Sequence, residues 1–249
     1  MKTKSKLKIG IIGGSGLDKM SVVKSIEKKQ VTTPYGSPSS HLAVGTLFNR
    51  TVVFLARHGL EHNIPPSAVP YKANMWALKQ EGCDIILATT ACGSLREEMK
   101  PGDLVFVDQF IDFTKMRSST FFEDEVVHTP MADPFDFKLR SLLVKTARKL
   151  RLPHHALGTV VTIEGPRFSS RAESYMFQKL GADIINMSTM PEVALARELG
   201  IPYQSIAMVT DYDCWKENEI SVTCELVMQR MAQNAKKVKQ LLVETIGSL

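Results

Sequence analysis

A chain of 249 residues, 44% hydrophobic and 23% charged, can bury a full core, and its composition is neither disordered nor fibrous. The net charge of +5 comes partly from lysines at 2, 4, 6 and 8 and at 236, 237 and 239 with no aromatic residues between them. That pattern reads as solvated tails and helix faces rather than a nucleic-acid surface.

The apolar run 9–12 after the basic start is cut by Gly13 and Gly14, too short for a signal segment, and no later run approaches the ~18 residues of a membrane span. Cys83, Cys92, Cys214 and Cys224 show no Cys-x-x-Cys spacing. Reduced thiols in a cytoplasmic protein, with neither nucleic acid nor membrane as partner, are the expectation.

In chain order, strands are predicted over 8–12, 51–56, 84–90, 104–110, 157–163, 183–187 and 204–210, several of them apolar almost throughout. Helical spacing occupies 71–81, 135–150, 171–180 and 191–199, the last opening on Pro191 and Glu192 and closing at Gly200. A long amphipathic helix is predicted over about 220–246. Segments 63–70 and 116–133 are the irregular stretches and are long enough to be functional loops. The alternation predicts an α/β fold, one domain over 1–249 with a mixed, largely parallel sheet flanked by helices.

Gly13-Gly14-Ser15-Gly16 follows the first strand and matches neither a Walker loop nor a dinucleotide fingerprint, so it reads as a structural turn or an anion loop. His58-Gly59-Leu60-Glu61-His62 has the letters of an inverted zinc-protease motif. That motif needs a helix, which Gly59 and the prolines at 65, 66 and 70 oppose, and no metal site is predicted. Arg57 with His58, directly after a strand, suits an anion clamp or a surface pair. Thr89 to Ser94 close a buried strand with hydroxyls and small residues, either to meet a ligand or to allow close packing. Asp211 and Asp213 end the last strand two residues apart. Same-side carboxylates raise each other's pKa, as in an acid catalyst; a metal site or a solvated acidic turn is the other reading.

Together with Leu55-Ala56-Arg57-His58-Gly59, Thr90-Ala91-Cys92-Gly93-Ser94, Glu164-Gly165-Pro166-Arg167-Phe168, Asn186-Met187-Ser188 and Asp211-Tyr212-Asp213-Cys214-Trp215, the glycine turn resembles, in order, the trimeric purine nucleoside phosphorylase family. The likeness spans nearly the whole chain and is greatest to the members that act on methylthioadenosine. It implies phosphorolysis of S-methyl-5′-thioadenosine to adenine and 5-methylthioribose 1-phosphate, with inorganic phosphate as co-substrate and no cofactor. Ser15, Arg57, His58, Thr90, Ala91 and Ser188 would bind phosphate. Phe168 would pack on the base, Met187 under the sugar, and Cys224, Val227 and Met228 around the 5′ group. Asp211 would protonate the purine at N7 and Asp213 would accept from its 6-amino group. A homotrimer is implied, with His128 lent to a neighbouring subunit. A phosphorylase of broader or 6-oxopurine specificity, a hydrolytic nucleosidase and a catalytically silent nucleoside-binding protein are the alternatives.

Overall fold

A strand turns alternate residues to opposite faces, and the isoleucines at 9, 11 and 12 divide accordingly. In the computed structural model, which describes residues 7–13, 23–217 and 223–249, Ile9 and Ile11 enter one hydrophobic cluster and Ile12 another. Val52 and Phe54 side with Ile11, and Val53 and Leu55 with Ile12. Burial on both faces is why these segments are apolar throughout rather than alternating.

Among the described residues the strands are β1 (Lys8–Gly13), β2 (Lys24–Lys29), β3 (Leu42–Leu47), β4 (Arg50–Ala56), β5 (Ile85–Ser94), β6 (Leu104–Phe106), β7 (Gln109–Phe113), β8 (His154–His155), β9 (Thr159–Ile163), β10 (Ile184–Asn186) and β11 (Tyr203–Tyr212). The helices are α1 (Tyr71–Gln80), α2 (Phe137–Lys149), α3 (Arg171–Lys179), α4 (Thr189–Glu198) and α5 (Cys224–Ser248). The main run of the sheet is β2-β3-β4-β1-β5-β10-β9-β7, with β11 beside β5 and β6, and β8 on β6. It is mixed and largely parallel, as predicted: β1 pairs in parallel with β4 and β5, β11 with β5, and β9 with β7 and β10.

Helices α1 and α4 cover one face through Met75, Leu78, Val193 and Leu195, and α2 and α5 cover the other through Leu139, Leu143, Leu241 and Leu242. Phe177 of α3 joins Leu95, Val161 and Ile185 in a smaller cluster. No helix among the described residues is long and apolar enough to cross a membrane.

The structure departs from the sequence expectation at several elements. Strands β2 and β3 form an antiparallel edge that the sequence expectation lacks; every residue of Lys24–Lys29 is exposed and leaves no apolar pattern, whereas β3 is largely buried and is overlooked. Segment 104–110 is two strands, since the chain leaves β11 after Phe106 and joins β9 from Gln109. The helix predicted from 135 starts at Phe137, because the Asp136 side chain accepts from Leu139 N and caps it. Gly200, with φ of +66°, follows α4 in the left-handed conformation that ends a helix.

One strand creates the site. β11 runs along β5 from Ile86 to Ser94, so β1 and β10 share the other edge of β5. β1 pairs only with residues 85–88 and β10 only with Gly93 and Ser94. Thr89, Thr90, Ala91 and Cys92 pair with neither, at a switch point where an open α/β sheet leaves room for a ligand.

Candidate active site

The gap opens into a cavity of about 420 Å³ lined by Arg57, His58, Thr90, Ala91, Phe168, Met187, Ser188, Asp211, Asp213 and Met228, among others. These expected site residues come from segments as far apart as β4 and α5 and meet in one space. Ser15 and the side chains of Cys224 and Val227 lie outside the described residues. His128 is exposed and does not line this cavity.

Arg57 follows β4 directly and is buried, so it is no surface pair. The clamp also differs from the simple expectation, because its Nε and Nη2 donate to the two carboxylate oxygens of Glu192 at 2.8 Å each. Nη1 donates to Thr89 O at 2.8 Å, and Tyr203 Oη donates to Glu192 Oε1 at 2.6 Å. Burial opposes the guanidinium charge, and the Glu192 carboxylate outweighs burial and raises the pKa above its ordinary value. Of five N–H groups three are engaged, which leaves one on each terminal nitrogen for a ligand. On sequence Glu192 is a first-turn acid. Nothing local reveals a partner 135 residues away.

Residues 57–62 form turns, not the helix that a zinc-protease motif needs, and Gly59 adopts φ of +79°. His58 Nδ1 lies 2.9 Å from Ile64 O. Burial first, then the charges of Arg57, His62 and Arg117, hold the His58 pKa down to about 4 against that hydrogen bond.

Hydroxyls complete this half of the cavity. Thr90 Oγ1 and Ser188 Oγ share a hydrogen bond of 2.8 Å. Asn186 orients them: its Nδ2 donates to Thr90 Oγ1 at 3.3 Å and to Thr189 Oγ1 at 2.6 Å, and its Oδ1 accepts from Thr162 Oγ1 at 2.9 Å. Thr90 Oγ1 also donates to Ala91 O at 3.0 Å, and this neutral, hydroxyl-lined surface around a paired guanidinium can hold an oxyanion once the hydroxyls turn to it.

The other half is acidic. Asp211 and Asp213 are 5% and 3% exposed, which excludes a solvated turn. Burial pushes the Asp211 carboxyl up to about 6, the Thr210 hydroxyl at 2.6 Å pulls it down, and Asp213 raises it again. The effect of Asp213 on Asp211 is therefore in the predicted direction but smaller than burial. Asp213 Oδ2 accepts from Ser169 Oγ at 2.6 Å. Gly93 lets the pair sit against β5: a Cβ there would lie 3.1 Å from Asp211 Oδ2 and 3.3 Å from the Asp213 Cβ. No group of three or more His, Cys, Asp or Glu side chains suited to a metal occurs among the described residues.

Met187 lies between Asn186 and Ser188 in sequence and is held by two neighbours. Arg117 Nη1 donates to Met187 O at 2.8 Å, and Gly165 leaves room for the thioether, since a Cβ there would lie 2.5 Å from Met187 Sδ. Phe168 and Met228 are partly exposed residues of the lining. Ser169 and Asn186 were within or next to the sequence blocks quoted above, whereas Arg117, Thr162 and Tyr203 had no motif to mark them.

The family model described as the Phosphorylase superfamily matches residues 8–247. The chain belongs to the phosphorylase superfamily. Within that superfamily it is 53% identical over 255 residues to the S-methyl-5′-thioadenosine phosphorylase of Danio rerio, covering 100% of this chain and 91% of the relative. Over 245 residues it is 51% identical to the enzyme of the same name from Thermofilum pendens, covering 98% and 93%. Among solved superfamily structures, a mutant adenosine/methylthioadenosine phosphorylase from Schistosoma mansoni in complex with adenine superposes with a TM-score of 0.93 at 45% identity, covering 98% and 93% of the two chains. A second mutant of that protein, in complex with methylthioadenosine, gives 0.92 at 43% identity, also covering 98% and 93%.

Proposed function

We propose that this protein cleaves S-methyl-5′-thioadenosine with inorganic phosphate, releasing adenine and 5-methylthioribose 1-phosphate. The observation that carries the reading is one cavity in which an oxyanion surface and a buried carboxylate pair face a common space. The names of the Danio rerio and Thermofilum pendens relatives support the substrate, as does the methylthioadenosine complex of the Schistosoma mansoni protein.

Phosphate is held by the two free N–H groups of Arg57, by Thr90 and Ser188, by His58 and the Ala91 backbone, and by Ser15. It attacks the anomeric carbon in line as the purine leaves, and the oxocarbenium-like ribosyl centre develops its positive charge beside the bound anion. Asp211, protonated more readily than an ordinary carboxyl, gives its proton to N7 so that the base departs neutral. Asp213 keeps one carboxylate oxygen for the 6-amino group while Ser169 holds the other. Phe168 covers the base, Met187 supports the sugar, and Cys224, Val227 and Met228 surround the methylthio group.

Inorganic phosphate is a co-substrate, and no cofactor or metal takes part. The working assembly is a cytoplasmic homotrimer in which His128, exposed on its own chain, reaches the neighbouring site. The test is to incubate the purified protein with 5′-methylthioadenosine, with and without phosphate, and follow adenine. Phosphate-dependent release is expected. Release that ignores phosphate identifies a nucleosidase, and binding without release identifies a silent binding protein.

A further inference from the structure

Met116 is 88% exposed, yet the side chain of the next residue, Arg117, is 2% exposed. Segment 116–133, long enough to be a functional loop, thus opens by sending a charged side chain inward. Nε donates to Glu164 Oε1 at 3.0 Å, and Nη2 to Glu164 O and Ile163 O. Nη1 donates to Tyr71 Oη at 3.0 Å, Met187 O at 2.8 Å and Met190 O at 2.7 Å. A guanidinium has five N–H groups, and with these acceptors none is left for a ligand. Ile163, Met187 and Ser188 line the cavity; Arg117 does not.

The contacts of Nη1 shape one turn. Met190 is extended, at φ −99° and ψ 137°, which takes its carbonyl out of the helical ladder of α4 and lets it converge with Met187 O on a single nitrogen. Between the two carbonyls lie Ser188, whose Oγ shares a hydrogen bond of 2.8 Å with Thr90 Oγ1, and Thr189, whose Oγ1 accepts from Asn186 Nδ2 at 2.6 Å. Tyr71 Oη lies 3.4 Å from Met187 O and 3.3 Å from Pro66 O, so the same hub reaches the loop before α1. In the proposed reaction Met187 supports the sugar and Ser188 holds phosphate. The curvature of this turn then sets how far the attacking oxygen stands from the anomeric carbon.

We infer that Arg117 is a positioning residue for phosphate attack: by clamping the carbonyls of Met187 and Met190 it fixes the distance and angle between the bound anion and the anomeric carbon, without touching either. This rests on the phosphorolysis reading and adds to it a residue outside the cavity. Glu164 in turn holds Arg117. Its Oε1 accepts from Arg117 Nε, and its Oε2 accepts from Lys115 N at 2.6 Å and Met116 N at 3.1 Å, so the carboxylate fixes the start of the loop and the guanidinium together.

A lysine at 117 keeps the charge beside Glu164, but its N–H groups diverge from one nitrogen and cannot serve Glu164 and both methionine carbonyls at once. The turn then relaxes. In-line attack is steep in distance, and a displacement of ~1 Å costs about 100-fold in rate. Each substrate keeps its remaining contacts, so binding changes far less than the chemical step.

The experiment compares full-length wild type, Arg117→Lys and Glu164→Gln. Adenine release is followed in a single turnover, with enzyme in excess over 5′-methylthioadenosine and phosphate saturating, and KM for each substrate is measured in the steady state. Thermal melts give the folded fraction at the assay temperature. Arg117→Lys should slow the single turnover by about 10- to 100-fold per folded molecule, with both KM values within about threefold of wild type. Glu164→Gln offers one oxygen where two are used and should slow it by about three- to tenfold. A merely structural role would lower the folded fraction and leave the rate per folded molecule unchanged. That result, or a loss of activity carried wholly by KM, overturns the assignment. Should Arg117→Lys not fold, Glu164→Gln decides, and an unslowed turnover there counts against Arg117. Unslowed variants beside a wild type that releases adenine with phosphate remove only the role of Arg117, whereas a wild type without phosphate-dependent release removes the parent reading.

Discussion

Arg57 and Glu192 meet through two N–H···O bonds of 2.8 Å, with side chains 3% and 0% exposed. Removing one partner of such a pair leaves the other charged in a place it cannot be hydrated. Glu192→Ala should cost about 3–5 kcal/mol of folding stability. Tyr203→Phe deletes a hydroxyl that donates to the same carboxylate and should cost about 1.5–3 kcal/mol. Guanidinium denaturation of the three proteins checks the order. Equal midpoints for wild type and Glu192→Ala would mean that the pair contributes no net stability.

Asp211 makes stability depend on pH in the direction opposite to a salt-bridged acid. Its folded pKa is about 6 against an ordinary 3.8, so between those values the folded protein keeps a proton that the unfolded chain has released. The favourable contribution is complete below the lower value and is lost as pH rises through the upper one, by up to about 3 kcal/mol. Asp211→Asn carries no such charge and should be more stable than wild type at about pH 8, while phosphorolysis falls by about 10²–10⁴-fold for want of an acid. Thermal melts across the range read the first effect and adenine release the second. An asparagine variant that melts below wild type at alkaline pH would contradict the burial argument.

The same residues show what a sequence can reveal. β1, β4, β5 and β11 were legible because burial on both faces leaves a short, β-branched apolar run, too short for a helix. β2 was not, because Lys24–Lys29 is an exposed edge held by its backbone pairing to β3, and that pairing leaves no mark on residue type. Arg57, His58, Thr90 and Asp211 could be singled out because each ends or follows a buried strand with a side chain out of keeping with it. Glu192, Asn186 and Ser169 hold Arg57, Thr90 and Asp213 across 135, 96 and 44 positions, and no spacing rule encodes a contact of that range.

Gly165 packs against Met187 and is not part of the cavity lining. It adopts φ of +66°, and a Cβ would stand 2.5 Å from Met187 Sδ, so Gly165→Ala combines backbone strain with displacement of the thioether. The strain alone should cost about 1–3 kcal/mol. Gly36→Ala is the control, because Gly36 has φ of +92° and nothing within 4 Å of the added carbon. Both variants should lose stability in denaturant. Only Gly165→Ala should raise KM for the nucleoside while KM for phosphate stays within about twofold, as the proposed contact of Met187 with the sugar requires. A parallel rise for Gly36→Ala would assign the effect to lost stability.

Base selection should reverse at Asp213. Ser169 Oγ donates to Asp213 Oδ2 at 2.6 Å, and Asp213 N donates to Ser94 O at 3.0 Å, which fixes the side chain from two sides. In the proposed binding mode the free oxygen faces the 6-position as a pure acceptor, matched to an amino group and opposed to a carbonyl. In Asp213→Asn the amide oxygen keeps the Ser169 bond and the NH₂ takes the other place, so a donor faces the base. The kcat/KM ratio of adenosine to inosine should fall by about 100-fold, from one hydrogen bond lost with the first substrate and one gained with the second. Ser169→Ala loosens the carboxylate without changing its character and should lower both substrates together, by about tenfold. If Asp213→Asn leaves the ratio where it was, this carboxylate does not read the 6-position.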